Sequence, residues 1–127
     1  MSRIELAHAV MVSKLEKPGL DIIHQLDPRK AALWHMATGV AGEAGELVDA
    51  IKRHVIYDKE LDRTNVTEEL GDLEFYLQGI RAHLDITREE TLKANMTKLL
   101  TGKNARYAEG IYSDAAAQAR ADKEPMK

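Results

Sequence analysis

The chain contains no cysteine, one phenylalanine, one tryptophan and three prolines among its 127 residues. Without cysteine there is no disulfide framework and no thiolate metal site. With so few large aromatics, a core falls to Leu, Ile, Val, Ala and Met. Neither sign of charge prevails: 18 Lys and Arg stand against 21 Asp and Glu, a formal net charge of −3. That balance argues against a surface built to coat a nucleic acid. No apolar run approaches the roughly 18 residues of a membrane span. The N-terminus lacks the apolar core of a signal peptide, because Glu5 and His8 interrupt it. The cytoplasm is therefore the expected location. Strand signals are nearly absent too. What remains is a chain long enough for one domain with a real core.

Helical periodicity fills most of it. Residues 3–16 place Leu6, Val10 and Met11 on one face, and Lys17-Pro18-Gly19 ends the run. Residues 17–27 read as a connection carrying Asp21 and His24. A second helix starts near Pro28, with Asp27 as its N-cap. Its apolar stripe is Leu33, Ala37, Val40, Ala44, Leu47 and Ile51, stepping by four and three. Gly39, Gly42 and Gly45 lie inside it, each costing about 1 kcal/mol relative to Ala. They answer either to close helix packing or to room for a ligand. Residues 58–65 read as a turn, and Asn65-x-x-Glu68 as a capping-box-like start for a third helix. That helix carries Val66, Leu70, Leu73, Leu77, Ile80 and Leu84 on one stripe. Thr87-x-x-Glu90 opens a fourth helix, with Leu92, Met96 and Leu99 inward, and Gly102 stops it. Residues 107–113 read as irregular, 115–121 as a short helix and 122–127 as frayed. The pattern predicts an all-α fold, a small bundle of about four main helices. It forms a single domain over 1–127, with a core over about 28–113 and a C-terminal tail over 114–127.

Two acidic pairs stand out in these helices, Glu43-x-x-Glu46 and Glu69-x-x-Asp72. At about 100° per residue, Glu43 lies about 80° and Glu46 about 140° from the centre of their helix stripe. Glu69 lies about 60° and Asp72 about 120° from the centre of theirs, in the same sense of rotation. On antiparallel neighbours joined by a short turn, same-sense flanks meet on one edge. Asp49 and Glu68 fall on the solvent side by the same count, whereas Asn65 and Tyr76 share the acidic flank. A single acidic pair is usually a solvated helix face. Two pairs on matching flanks, with few basic residues beside them, repel unless a cation joins them. Carboxylates without His or Cys suit a hard cation such as Mg²⁺, which usually serves a phosphate substrate.

The segments HMATGVAGEAGELVDAIKR and TEELGDLEFYL resemble the MazG-like nucleoside triphosphate pyrophosphohydrolases of the all-α NTP pyrophosphatase superfamily. Glu43, Glu46, Glu69 and Asp72 match the family's E-x-x-E and E-x-x-D positions, and Gly42, Gly45, Leu70 and Gly71 fit around them. KANMTKLLTGKNARYAEGIYS is similar to the family's N-x-x-K-L segment followed by R-Y. Asn95, Lys98, Arg106 and Tyr107 take those places, with residues 102–104 as extra residues between the two elements. The resemblance spans roughly residues 33–113. It implies hydrolysis of a (d)NTP to monophosphate and pyrophosphate. The four carboxylates would be catalytic residues and ligands of Mg²⁺, with Mn²⁺ as a substitute. Lys98 and Arg106 would hold phosphate oxygens as point charge and fork. Asn95 would contact phosphate or sugar, and Tyr107 is a further substrate candidate. Trp34 and His35 either stack on a base or pack at a subunit interface, although a lone Trp is more often buried. A homodimer or homotetramer is expected, from the apolar surface such helices leave and from the family's habit. The partners implied are a nucleotide, with no nucleic-acid polymer and no membrane. Two alternatives remain: a related hydrolase of an alarmone, a nucleotide sugar or phosphoribosyl-ATP, or a non-catalytic helical interaction module. Glu5-x-x-His8 has di-iron spacing, but Asp21-x-x-His24 is a poor second copy in a connection, so a di-iron site is rejected.

Overall fold

The computed structural model describes residues 1–123, and these contain helices and turns but no strand. In chain order they are α1 (Arg3–Leu15), α2 (Gly19–Gln25), α3 (Pro28–Ile56), α4 (Arg63–Leu84), α5 (Arg88–Met96) and α6 (Asp114–Ala119). A π-helical turn, Thr97–Thr101, continues α5, and a 3₁₀ turn, Ala121–Lys123, follows α6. The all-α class read from the sequence holds.

Local chemistry sets most boundaries. The Asp27 carboxylate accepts from Lys30 N at 2.8 Å, and Pro28 occupies the first helical position of α3. Thr87 and Glu90 form the expected reciprocal capping box at α5. Ser2 and Glu5 form a second one at α1. Two expectations need correction. Residues 17–27 are not a plain connection, because Gly19–Gln25 is helical. The third long helix is capped by Asp62, which accepts from Asn65 N, so it starts at Arg63 rather than at Asn65.

α3 packs antiparallel on α4, the one extensive helix–helix contact among the described residues. Its face is rotated from the stripe read in the sequence. Met36 lies against Gly79, and the Tyr76 ring lies against Gly39. A Cβ on Gly39 would sit 2.2 Å from that ring, so this glycine is required for the close approach. Stepping onward along α3 and back along α4, the same register brings Glu43 beside Glu69 and Asp72. Stripe members Ala37, Ala44, Ile51, Leu70 and Leu84 are exposed in the single chain. Leu92 and Met96, expected inward, are exposed as well. Among the described residues, Ala50 and Ala105 are the buried apolar ones. α1, α2 and the Leu26 cap that follows expose apolar side chains from Ile4 onward. The accessible surface is 10588 Å². A compact monomer of 14.2 kDa exposes roughly 6,800 Å² by surface scaling.

Candidate functional site

Glu43, Glu69 and Asp72 meet on one edge of the α3–α4 hairpin. One carboxylate oxygen from each lies within 4.8 Å of the other two. Glu43 and Glu69 are half-buried and Asp72 is exposed, so the site opens to solvent on the Asp72 side. Glu46, grouped with them in the sequence reading, stands outside this triad and is exposed. It still acts on it. Desolvation first, then the charges of Glu43, Glu46 and Asp72, hold the Glu69 carboxyl above its ordinary value. Asp49, expected on the solvent side, is occupied by Arg53 at 2.6 Å and Lys52 at 3.2 Å. Asp49 therefore belongs to a surface ion-pair cluster and not to the site.

The triad fits a divalent cation. Three oxygens at this spacing lie within side-chain adjustment of a shell with metal–oxygen distances of about 2.1 Å. The all-oxygen, carboxylate-only set suits a hard ion. Glu69 is raised first by desolvation and then by the neighbouring carboxylates, and a cation would offset the second of these causes.

Around the triad, Tyr76 packs edge-on against His35 at 6.3 Å and against Phe75 at 5.1 Å. Tyr76 is thus a packing residue on the acidic flank, and Asn65 is half-buried one helical turn before Glu69. Trp34 is 69% exposed in the single chain, open to either of the two expected roles, a stacking face or a subunit contact. Of the glycines, Gly39 serves helix packing, whereas a Cβ on Gly42 or Gly45 meets nothing within 4 Å.

The residues assigned to phosphate lie on a different element. Asn95 is the penultimate residue of α5, Lys98 sits in the π-helical turn, and Arg106 and Tyr107 follow it. Two backbone bonds close this loop: Arg106 N donates to Lys98 O at 3.1 Å and Tyr107 N to Leu99 O at 2.8 Å. These bonds bring Lys98 and Arg106 together across the extra residues 102–104. Tyr107 lies against Tyr112 at 6.0 Å. Both cations face a carboxylate that the sequence reading passed over. Asp122 accepts from Arg106 Nε at 2.6 Å and from Nη2 at 2.9 Å, and Lys98 Nζ lies 3.7 Å away. The tail read as frayed from residue 122 is therefore anchored at Asp122, while 124–127 lie outside the described residues. No local signal marks Asp122, because its partners lie 16 and more positions earlier.

No described helix is long and apolar enough to cross a membrane. The family model described as the MazG nucleotide pyrophosphohydrolase domain matches residues 33–106, which covers α3 from Leu33 onward, α4, α5 and the π-helical turn. The Gene 37 protein of Mycobacterium phage L5 is 28% identical over 83 residues, spanning 61% of this chain and 72% of that protein. No solved structure matches.

Proposed function

This chain belongs to the MazG nucleotide pyrophosphohydrolase family, and we propose that it converts a (d)NTP, normal or damaged, to the monophosphate and pyrophosphate. The observation that carries the reading is the convergence of Glu43, Glu69 and Asp72 within 4.8 Å. These three hold Mg²⁺, or Mn²⁺ in its place. A cation bound there polarises the phosphoryl group and neutralises the charge of the leaving pyrophosphate. Glu46, outside the triad but within its field, orients the attacking water and takes its proton. The water oxygen bonds to the α-phosphorus, and the bond from that phosphorus to the pyrophosphate oxygen breaks. Lys98 and Arg106 hold phosphate oxygens, Asn95 and Tyr107 contact the remaining nucleotide, and exposed Trp34 offers a stacking face for the base.

The working form is an oligomer. The surface excess is about 3,800 Å² per chain over the compact expectation. An obligate interface of about 2,000–5,000 Å² is shared between two chains, so each buries about half of that. One such interface covers only part of the excess, which supports a homotetramer or an interleaved homodimer. A groove of about 440 Å³ lined by Leu47, Val48, Ile51, Val55 and Ile56 on α3 supplies apolar surface for it.

The test is product identity. Each common, oxidised or methylated (d)NTP is incubated with the protein and Mg²⁺, and pyrophosphate and phosphate are assayed separately. Monophosphate plus pyrophosphate, lost in Glu43→Gln, is the expected result. Diphosphate plus phosphate overturns the assigned bond. Turnover of an alarmone or phosphoribosyl-ATP alone moves the substrate, and no turnover with no Mg²⁺ binding leaves an interaction module.

A further inference from the structure

Lys98 and Arg106 are the cations assigned to phosphate, yet in the free chain they hold an anion of their own. The Asp122 side chain is 2% exposed, against 21% for Arg106 and 42% for Lys98. A carboxylate gripped by a guanidinium fork, with an ammonium beside it, has the arrangement of a bound phosphate oxygen pair. Asp122 lies beyond the residues matched by the family model. We propose that Asp122 is an internal stand-in for a substrate phosphate. In the free protein the C-terminal strap, residues 114–123, occupies the Lys98–Arg106 pair, and an arriving phosphate displaces it. This rests on the reading of Lys98 and Arg106 as phosphate ligands.

Four observations support displacement over a permanent structural role. First, the exchange is anion for anion. Removing Asp122 alone would strand a partly buried guanidinium, a costly state, but a phosphate taking its place leaves none. Second, the strap is lightly held. α6 has six residues, its middle is three alanines, and Ala116 and Ala117 are only half-buried. Segments with so little buried apolar surface open at low cost. Third, Arg120 is held left-handed at φ 49° between α6 and Asp122. A residue with a side chain adopts this conformation at a cost that its surroundings must impose. Its N–H caps α6 through Ala116 O, so unwinding of α6 as the strap leaves relaxes it. Fourth, there is room: a cavity of about 240 Å³ lined by Arg106, Tyr107, Ser113 and Ala116 adjoins the ion pair. The Asp122 carboxyl is drawn down to about 2, chiefly by its bonds to Arg106. The strap is therefore ionised at every physiological pH, and protonation does not release it; a competing anion does.

The test uses the wild-type protein first. Amide hydrogen exchange over residues 114–123 is followed with Mg²⁺ alone and with Mg²⁺ plus inorganic pyrophosphate. Faster exchange of the strap on pyrophosphate binding is expected; unchanged or slower exchange overturns the proposal. Asp122→Asn should then lower KM by about tenfold with kcat unchanged, the factor for a strap closed about nine-tenths of the time. A raised KM makes Asp122 a positioning residue for Arg106 and overturns the proposal. Lys98→Gln and Arg106→Lys separate the two levels. If both leave KM and pyrophosphate affinity unchanged, the phosphate-ligand reading itself fails, and the stand-in with it.

Discussion

At the scale of single residues, the carboxylates differ in what they are expected to do. Glu43→Gln, Glu69→Gln and Asp72→Asn each remove one of the proposed ligands. Each should lower pyrophosphate release by about 100-fold or more, since even outer contacts of a metal site are worth 10–100-fold. Titration of Mg²⁺ into each variant should show the same order of loss in affinity. Glu46→Gln should instead lower kcat with Mg²⁺ affinity near that of the wild type. Glu69 also carries a pH signature. Its folded value is raised above 4.5, so the folded state favours the protonated form. The corresponding stability is present below about 4.5 and lost as pH rises through the folded value. Metal-free Glu69→Gln should therefore melt above the wild type at neutral pH, with the gap closing below pH 4.5. A thermal melt series across pH, repeated with saturating Mg²⁺, checks this, because the cation should erase the wild type's deficit.

At the scale of elements, the α3–α4 crossing separates glycines that look alike in sequence. Gly39→Ala should lower the melting temperature sharply, because its Cβ would enter the rigid Tyr76 ring. Gly79→Ala should cost less, since the atoms it meets belong to flexible Met36. Gly45→Ala meets nothing within 4 Å and should add about 0.4–1 kcal/mol through helix propensity. A loss there would place a second copy of the chain on that face. These differences were not legible in the sequence, and the reason is physical. The stripe of Leu33, Val40, Leu47 and Ile51 marks where apolar residues recur, not which neighbour each will meet. The buried face keeps Leu33, Val40 and Leu47 but also takes in Met36, Gly39 and Glu43, one residue round the helix, because Gly39 and Gly79 permit the closest approach to α4. The capping box at Thr87, the cap at Asp27 and the pairing of the acidic flanks were legible, since each depends on residues a turn apart. Asp122 was not, because its partners are supplied by a distant loop. The helix at 19–25 was missed behind Pro18-Gly19, which read as punctuation.

At the scale of the whole molecule, the exposed apolar residues on α1, α2, α3 and α5 make the isolated chain an incomplete body. Light scattering at micromolar concentration should give a mass of at least two chains. Val48→Glu together with Val55→Glu, in the α3 groove, should reduce it or leave the protein insoluble. The hairpin itself holds a further consequence. Its connection, residues 57–62, lies on one side of the acidic cluster, and the Gly39–Tyr76 lock lies on the other. Like charges between two fastened ends cannot splay the helices apart. The cation site proposed above would thus be shaped before its cation arrives, as in a rigid crown ether rather than a floppy chelator. Uptake then waits on no rearrangement of the fold. In stopped flow it should run as a single exponential whose rate climbs linearly with metal concentration, with no plateau from a slow closing step.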